Sequence, residues 1–415
     1  MSALPDELIA GGMRRLIASE VASNFGSMLS RLAIPWIAAL FLNATPLQMA
    51  WLVIADVAAG ALGTLVVGGL VDRRSRRVVM VIADAVRAFA MVVVITLFAF
   101  DVLSFWMLVV QAAVNGVAAM AFSVARSAWI ADNVPDDALT LRNSQMSAAS
   151  STSESVAFAG GGWLFQLFGP LTALITDAVS YLASAWFIRR LPERADASPA
   201  MTSDDQRFFA DAALGFAAMR TSSMLRTLLI SDILMTLSFS ISSATYMIYV
   251  TRDLAMETGI QGLVFATGAL GSLAGAAMAP ALGRQLGAGR SLAFGLLAAG
   301  IGVVCIPLAP SAALIGVVLL VLHQVIGDTG SVVAMIHGRT LRQLHAPEGA
   351  RGRVDAAMRT VTQVVTLTGA LGGGWVATVT GTREALWVSA LVLLLAAPLV
   401  CLLLRDRRRA ASQGW

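Results

Sequence analysis

Two long apolar runs, Leu47–Val71 and Val78–Phe100, are separated by Asp72-Arg73-Arg74-Ser75-Arg76-Arg77. Each run is long enough, at ~1.5 Å per helical residue, to cross the roughly 30 Å of hydrocarbon in a bilayer. Four arginines and an aspartate cannot stay in that medium, where one charge costs about 2.5–3.5 kcal/mol even on insertion scales. The six residues are therefore read as a tight charged turn between two membrane helices. The same alternation runs along the whole chain. Some 57% of the residues are hydrophobic and 13% are charged, against about 25% charged in soluble domains. The expected fold class is an all-α membrane protein, and 415 residues accommodate about twelve spans of 20–25 residues with short turns.

The apolar segments place helices at about 16–42, 47–71, 78–100, 103–126, 143–168, 170–190, 224–250, 259–282, 291–309, 312–338, 354–379 and 384–404. Residues 191–222 form the longest polar stretch, with Pro192, Pro199 and several acids. It reads as a cytoplasmic linker with a short surface helix near Phe208–Met219. The domains expected are a six-helix bundle over 1–190, the linker 191–222, a second six-helix bundle over 223–405 and a cytoplasmic tail over 406–415.

All 29 basic residues are arginine. Arg31 and Arg87 fall within helices, and Arg252 and Arg383 in the opposite loops. The other 25 lie on the side shared by the N-terminus, the linker and the C-terminal tail. The positive-inside rule makes that side the cytoplasm. Both termini are then cytoplasmic, the span count is even, and the location is a bacterial-type inner (plasma) membrane. Clustered as loop anchors, the arginines do not indicate a nucleic-acid partner; the lipid bilayer is the expected surrounding. Asp6 and Glu7 precede Arg14 and Arg15 without a cleavage site after the apolar run, so this segment is expected to remain as the first helix. Cys305 and Cys401 sit in apolar runs and read as small core residues, not a disulfide. No phosphate-binding loop of the G-x-x-x-x-G-K-S/T type occurs, so neither ATP hydrolysis nor another enzymatic activity is expected, and no cofactor is implied.

A constant shift of 212 positions aligns distant parts of the chain. Arg14, Leu16, Ser19 and Glu20 fall on Arg226, Leu228, Ser231 and Asp232. Leu70 falls on Leu282 and Pro135 on Pro347. Gly160-Gly161-Gly162-Trp163, followed by Gly169, falls on Gly372-Gly373-Gly374-Trp375, followed by Gly381. Six spans fit into 212 residues, so the two repeats share one orientation, as parallel transporter repeats do.

Polar residues inside the spans mark a protein interior or a wet cavity. In the first helix Glu20, Asn24, Ser27 and Arg31 are spaced 4, 3 and 4, which is one helical face. The seventh repeats the stripe with Asp232, Thr236, Phe239, Ser243 and Tyr246. The fourth offers Gln111 and Asn115, and the tenth His323, Gln324, Asp328 and Ser331. These stripes either line a cavity or fasten helices together. Asp56, Glu154 and Asp328 are the leading proton-site candidates, with Glu20 and Asp232 behind them, because a carboxyl in such surroundings exchanges a proton near neutral pH. Rise arithmetic places Asp56 within several ångströms of the height of Arg31, so a permanent Asp56–Arg31 ion pair is the alternative there. His323 reads either as a proton relay or as a hydrogen-bonded packing residue. Asp84 and Arg87, at i and i+3 in the third helix, are spaced for a local ion pair.

The charged turn resembles the loop between helices 2 and 3 of the major facilitator superfamily, G-x-L-x-D-R-x-G-R-R/K, with Gly68, Leu70, Asp72, Arg73, Arg76 and Arg77 matching. Ser75 stands where the family has glycine, so a less tight turn is expected. Asp84 and Arg87, Ala125-Arg126-Ser127 with Val134-Pro135, Arg342-Gln343, and Pro347 with Arg351-Gly352-Arg353-Val354 are similar to the enterobactin-exporter and macrolide-efflux branch. The resemblance implies twelve helices in two parallel six-helix repeats, with helices 1, 4, 7 and 10 lining a central cavity. Gly68, Asp72, Arg73, Arg76, Arg77, Asp84 and Arg87 would be latch elements, and the start of the eleventh helix near Arg353–Ala356 would face Asp72. Two departures stand out. Ala112-Ala113-Val114-Asn115-Gly116 lacks the arginine of the family's R-x-x-Q-G, and Ala157-Phe158 replaces the Gly-Pro of the antiporter helix.

The implied function is secondary active transport by alternating access, as a monomer. Proton-coupled efflux of an amphiphilic organic compound (a drug, siderophore or other natural product) is expected, driven by the proton gradient. The alternatives are a proton-coupled importer of a sugar or metabolite, and a membrane sensor or scaffold that does not transport.

Overall fold

The computed structural model describes residues 6–192 and 216–412 apart from 218, 221, 312, 348 and 349. Side chains are described throughout except at 6–10, 64–73, 136–137, 139–141, 143–144, 147–148, 151, 155, 159 and 403–412. The chain divides into two compact units, 1–44 with 52–204, and 45–51 with 205–415.

Six helices run through the first unit, the second of them from residue 52 on: α1 (Asp6–Leu40), α2 (Pro46–Arg73), α3 (Arg76–Ala99), α4 (Phe105–Asn133), α5 (Asp136–Phe168) and α6 (Pro170–Ile188). The main packing contacts are α1 against α5 and α6, and α3 against α4 and α6. The second unit holds α7 (Ser223–Ile248, ending in a π turn over Tyr249–Asp253), α8 (Thr258–Leu286), α9 (Ala288–Leu308), α10 (Leu314–His345), α11 (Arg351–Val379) and α12 (Thr382–Ser412). Here α7 packs on α11 and α12, and α9 on α10 and α12. Helix α10 contains a π turn, His323–Gly327, in its middle.

Among the described residues nine helices are long and apolar enough to cross a membrane: α2–α4, α6–α10 and α12. Helix α3 shows the physical logic. Its exposed stripe is Val78, Ile82, Val86, Phe89 and Val93, while Asp84 and Arg87 are buried. A helix that hides charge and exposes valine and phenylalanine is matched to a lipid solvent. The three remaining helices, α1, α5 and α11, hold the polar sequences Glu20–Arg31, Ser150–Ser155 and Arg351–Arg359.

Most helices begin or end close to the apolar boundaries, but those on the arginine-rich side run further. Helix α1 starts at Asp6 instead of 16, α4 ends at Asn133 instead of 126, and α10 reaches His345 instead of 338. Hydropathy marks where hydrocarbon ends, whereas the backbone ladder continues until a cap or proline stops it. Val134 before Pro135 is extended (φ −98°, ψ 128°) and ends α4 in this way. Helix α12 likewise continues through the arginine-rich segment expected to be a tail. The expected surface helix near Phe208–Met219 lies almost wholly outside the described residues.

Ser75 is the N-cap of α3, its Oγ accepting from Val78 N at 3.4 Å. Its φ of −54° asks nothing of glycine, so the departure from the family pattern supplies a cap. Glycine is required elsewhere: Gly169 (φ 81°) joins α5 to α6, and Gly381 (φ 120°) lies between α11 and α12, in the left-handed region that penalises a Cβ. At the start of α12, Arg383 donates to the carbonyls of Pro307 (2.8 Å) and Ala309 (3.0 Å) at the end of α9.

Candidate functional site

In the first unit a chain of polar side chains joins four helices. Asn115 Nδ2 on α4 donates to Asp56 Oδ1 on α2 at 3.2 Å. Tyr181 Oη on α6 donates to Asn115 Oδ1 at 3.3 Å and lies 3.0 Å from Ser27 Oγ on α1. Asp56 therefore takes Asn115 as its partner, and the alternative of an Asp56–Arg31 ion pair is not formed; Arg31 is exposed on α1. Gln111, one α4 turn away from Asn115, is buried.

The guanidinium of Arg87 lies 5.2 Å from the Tyr181 ring and 5.8 Å from the Phe122 ring, and 3.6 Å from Asp84 Oδ1. The i, i+3 pair expected within α3 is thus present. Asp177 of α6 belongs to the same group, acted on by Arg87 and facing Ser30 of α1. Asp84 and Asp177 are 0% exposed and Arg87 9%. Gly26 of α1 makes room, since a Cβ there would lie 2.7 Å from Asp177 Oδ1 and 2.0 Å from Ser180 Oγ.

The stripe on α1 turns inward on its own unit. Glu20 is ion-paired with Arg126 of α4. Asn24 Nδ2 donates to the carbonyl (2.9 Å) and hydroxyl (3.1 Å) of Ser150 on α5. Ser27 Oγ lies against Ser23 O and Tyr181. Three of its four members fasten α1 to α4, α5 and α6. Glu154 on α5 is half-buried and has no ion pair among the described residues.

Of the expected latch, Gly68, Asp72 and Arg73 lie outside the described side chains. Arg76 Nε is 3.7 Å from Asp132 Oδ2 at the end of α4, and Arg77 donates to Leu191 O at 3.2 Å. Both bind the arginine-rich ends of helices within this unit.

In the second unit Asp232 of α7 lies 3.8 Å from Arg342 of α10, which also reaches Asp355 of α11 at 3.4 Å. Each unit thus ties an acid of its first helix to an arginine of its fourth. Thr236 is half-buried, while Phe239 (75%) and Ser243 are exposed. Tyr246 stacks at 5.7 Å on Phe265 of α8 and at 5.9 Å on His323 of α10. Asp328, half-buried, follows the π turn and packs over Gly268 of α8, where a Cβ would meet its Oδ2. Among the described residues Asp328 has no hydrogen-bond or ion-pair partner. π turns widen a helix and recur at functional positions; this one sets His323 and Asp328 beside Tyr246.

Asp177 and Tyr181 escaped the sequence reading. Their signal is present: Asp177, Ser180, Tyr181 and Ser184 share one face of α6 at spacings 3, 1 and 3.

The family model described as Major Facilitator Superfamily matches residues 16–365, and matches again over 228–414. An uncharacterized MFS-type transporter, YfiS of Bacillus subtilis (strain 168), is 24% identical over 391 residues, covering 92% of this chain and 91% of the relative. Among solved structures, the nucleoside transporter NupG superposes with a TM-score of 0.74 at 12% identity, covering 95% of this chain and 99% of that one. A bacterial homologue of the iron transporter ferroportin gives 0.75 at 19% identity, covering 94% and 98%. With the family model spanning most of its length, the chain belongs to the major facilitator superfamily, as a multi-pass membrane transporter and not an enzyme.

Proposed function

We propose that this transporter is a proton-coupled exporter of amphiphilic organic compounds, with exchange centred on Asp328. The observation that carries the reading is the state of that carboxyl. Of the four other candidate acids, Glu20 and Asp232 are held in ion pairs, Asp56 is held by Asn115, and Glu154 is half-buried on α5. Among the described candidates, Asp328 combines the lack of a partner with a neighbouring Tyr246 ring, which itself packs against Phe265 and His323. A carboxylate so placed takes either a proton or an organic cation whose charge also rests on ring faces. One site that holds proton or substrate, but not both, exchanges one for the other.

The organisation proposed is twelve spans in two parallel six-helix repeats, 1–190 and 223–405, joined by the cytoplasmic linker 191–222 and followed by the tail 406–415. The recurrence of packing supports it: α1–α5, α1–α6, α3–α4 and α3–α6 become α7–α11, α7–α12, α9–α10 and α9–α12 when each helix number is raised by six. So does the second match of the family model, whose start at 228 is the first start at 16 shifted by the same 212 positions. Both termini are placed in the cytoplasm of a bacterial-type inner membrane, and one chain acts as the transporting unit. The bundles alternate access to the site, and protonation of Asp328 removes a buried charge and so shifts their balance. Asp72 and its arginines serve as the cytoplasmic latch. The proton gradient is the energy source.

The test is accumulation of a fluorescent cationic amphiphile in cells, with and without an uncoupler. Export predicts lower accumulation in cells carrying the wild type, a difference abolished by uncoupler and by Asp328→Asn. Greater accumulation in those cells would instead establish import. Equality across a broad dye panel would favour the sensor or scaffold reading.

A further inference from the structure

The interior of the first unit holds an odd charge count. Asp84 of α3 and Asp177 of α6 are wholly buried, and among the described side chains the basic group set against them is the single guanidinium of Arg87. Both oxygens of Asp84 and Oδ2 of Asp177 are buried with no hydrogen bond of ordinary geometry, the hydroxyls of Ser184 and Ser30 being the neutral donors beside them. Asp177 Oδ1 is 3.4 Å from Ser180 Oγ, but that hydroxyl gives its one proton to Asp177 O at 2.7 Å. Two ionised carboxylates beside one guanidinium would leave a net negative charge in a dry helix bundle, which is strongly unfavourable. Of the two, Asp84 has the direct contact with Arg87 at 3.6 Å. The remaining charged group near them is Glu20 of α1, already paired with Arg126 of α4. Tyr181 on α6 presents a neutral phenol, and no charged side chain among the described residues of α5 acts on Asp177.

We propose that Asp177 is a second proton-binding carboxyl of this transporter, carrying the proton that lets Asp84 and Asp177 share Arg87. The protonated form is the neutral one, with Asp84 ionised against Arg87. Deprotonation sends the proton to water and leaves the negative charge on α6, against Gly26 of α1. The α1–α6 contact, a principal one of this unit, therefore senses the protonation state. The role in the transport cycle rests on the proton-coupled reading; the presence of the proton does not.

The experiment is infrared spectroscopy of the purified full-length protein in lipid, followed from neutral to alkaline pH. The wild type is expected to show a buried carboxylic-acid carbonyl band at neutral pH that disappears on alkalinisation. Asp177→Asn should abolish that band, and Asp328→Asn should leave it. Asp84→Asn should abolish it too, since Asp177 then ionises against Arg87, and this variant decides the matter if Asp177→Asn does not fold. In the Asp328→Asn background, which removes the band of the other proposed proton site, absence of the band, or a band that survives both Asp84→Asn and Asp177→Asn, overturns the proposal. Transport in vesicles is the separate arm: the rate of Asp177→Asn, fixed in the neutral form, should decline less steeply at alkaline pH than that of the wild type. Equal alkaline decline in both would remove Asp177 from the cycle while leaving the infrared result intact.

Discussion

Arg87→Gln should be the most damaging single substitution in the first unit. The guanidinium is 3.6 Å from Asp84 Oδ1, a separation worth about 5 kcal/mol at an effective dielectric of ~20. Its stacking on Tyr181 and Phe122 adds roughly 1 kcal/mol. Glutamine cannot neutralise either acid, so part of this loss is recovered by protonating both. The net destabilisation expected is about 3–5 kcal/mol, the usual cost of removing one partner of a buried pair. Either acid is cheaper to lose, because the other inherits the arginine. Asp84→Asn and Asp177→Asn should each cost about 1 kcal/mol or less. For a bundle of this size the arginine loss corresponds to roughly 6–20 °C in Tm, at ~2–4 °C per kcal/mol. Thermal unfolding of the purified protein in detergent, cross-checked by denaturant titration, reads all three. If Asp177→Asn proved as costly as Arg87→Gln, the shared-arginine reasoning would be refuted.

Substitutions at four further positions probe the local structure. Ser75→Ala removes the α3 cap and should cost about 1 kcal/mol, while Ser75→Gly, the family's residue, should cost only a few tenths; thermal shifts distinguish them. Gly26→Ala sets a Cβ 2.0 Å from Ser180 Oγ and should destabilise by about 1–3 kcal/mol through overpacking. Gly160→Ala, where nothing lies within 4 Å, should be neutral or stabilising by up to about 1 kcal/mol. Tyr181→Phe removes the hydroxyl between Asn115 and Ser27 and should cost about 1 kcal/mol, measured in the same assay.

Much of this fold is legible in the apolar runs, because lipid demands long, self-satisfied helices. The helices extend beyond those runs at the arginine-rich ends, where hydropathy is silent and capping decides. The π turn in α10 leaves no mark in hydropathy either, since His323–Gly327 lies inside one continuous candidate span, Leu314–His345. Among the site residues, the Asp84–Arg87 pair follows from spacing alone, and Asp328 stands out as an acid in an apolar run. Spacing could not say that Glu20 would meet Arg126 or that Asp56 would meet Asn115, since these partners lie on other helices. Nor could it say that Asn24 of the α1 stripe would meet Ser150 on α5, or that Ser27 would meet Tyr181 on α6. Asp177 was readable by the face rule that picked out the α1 stripe, but its partner Arg87 lies on a different helix, and only packing reveals that two acids compete for it.

The central claim is exchange of a proton for an organic cation at Asp328, and proteoliposomes test it most directly. With purified protein, a pH-sensitive dye in the lumen and no imposed pH gradient, a gradient of cationic amphiphile should drive opposite proton movement. The account predicts that movement for the wild type and its loss in Asp328→Asn, with substrate binding weakened in the variant. Substrate-driven proton flux that persists in a folded Asp328→Asn protein would contradict it.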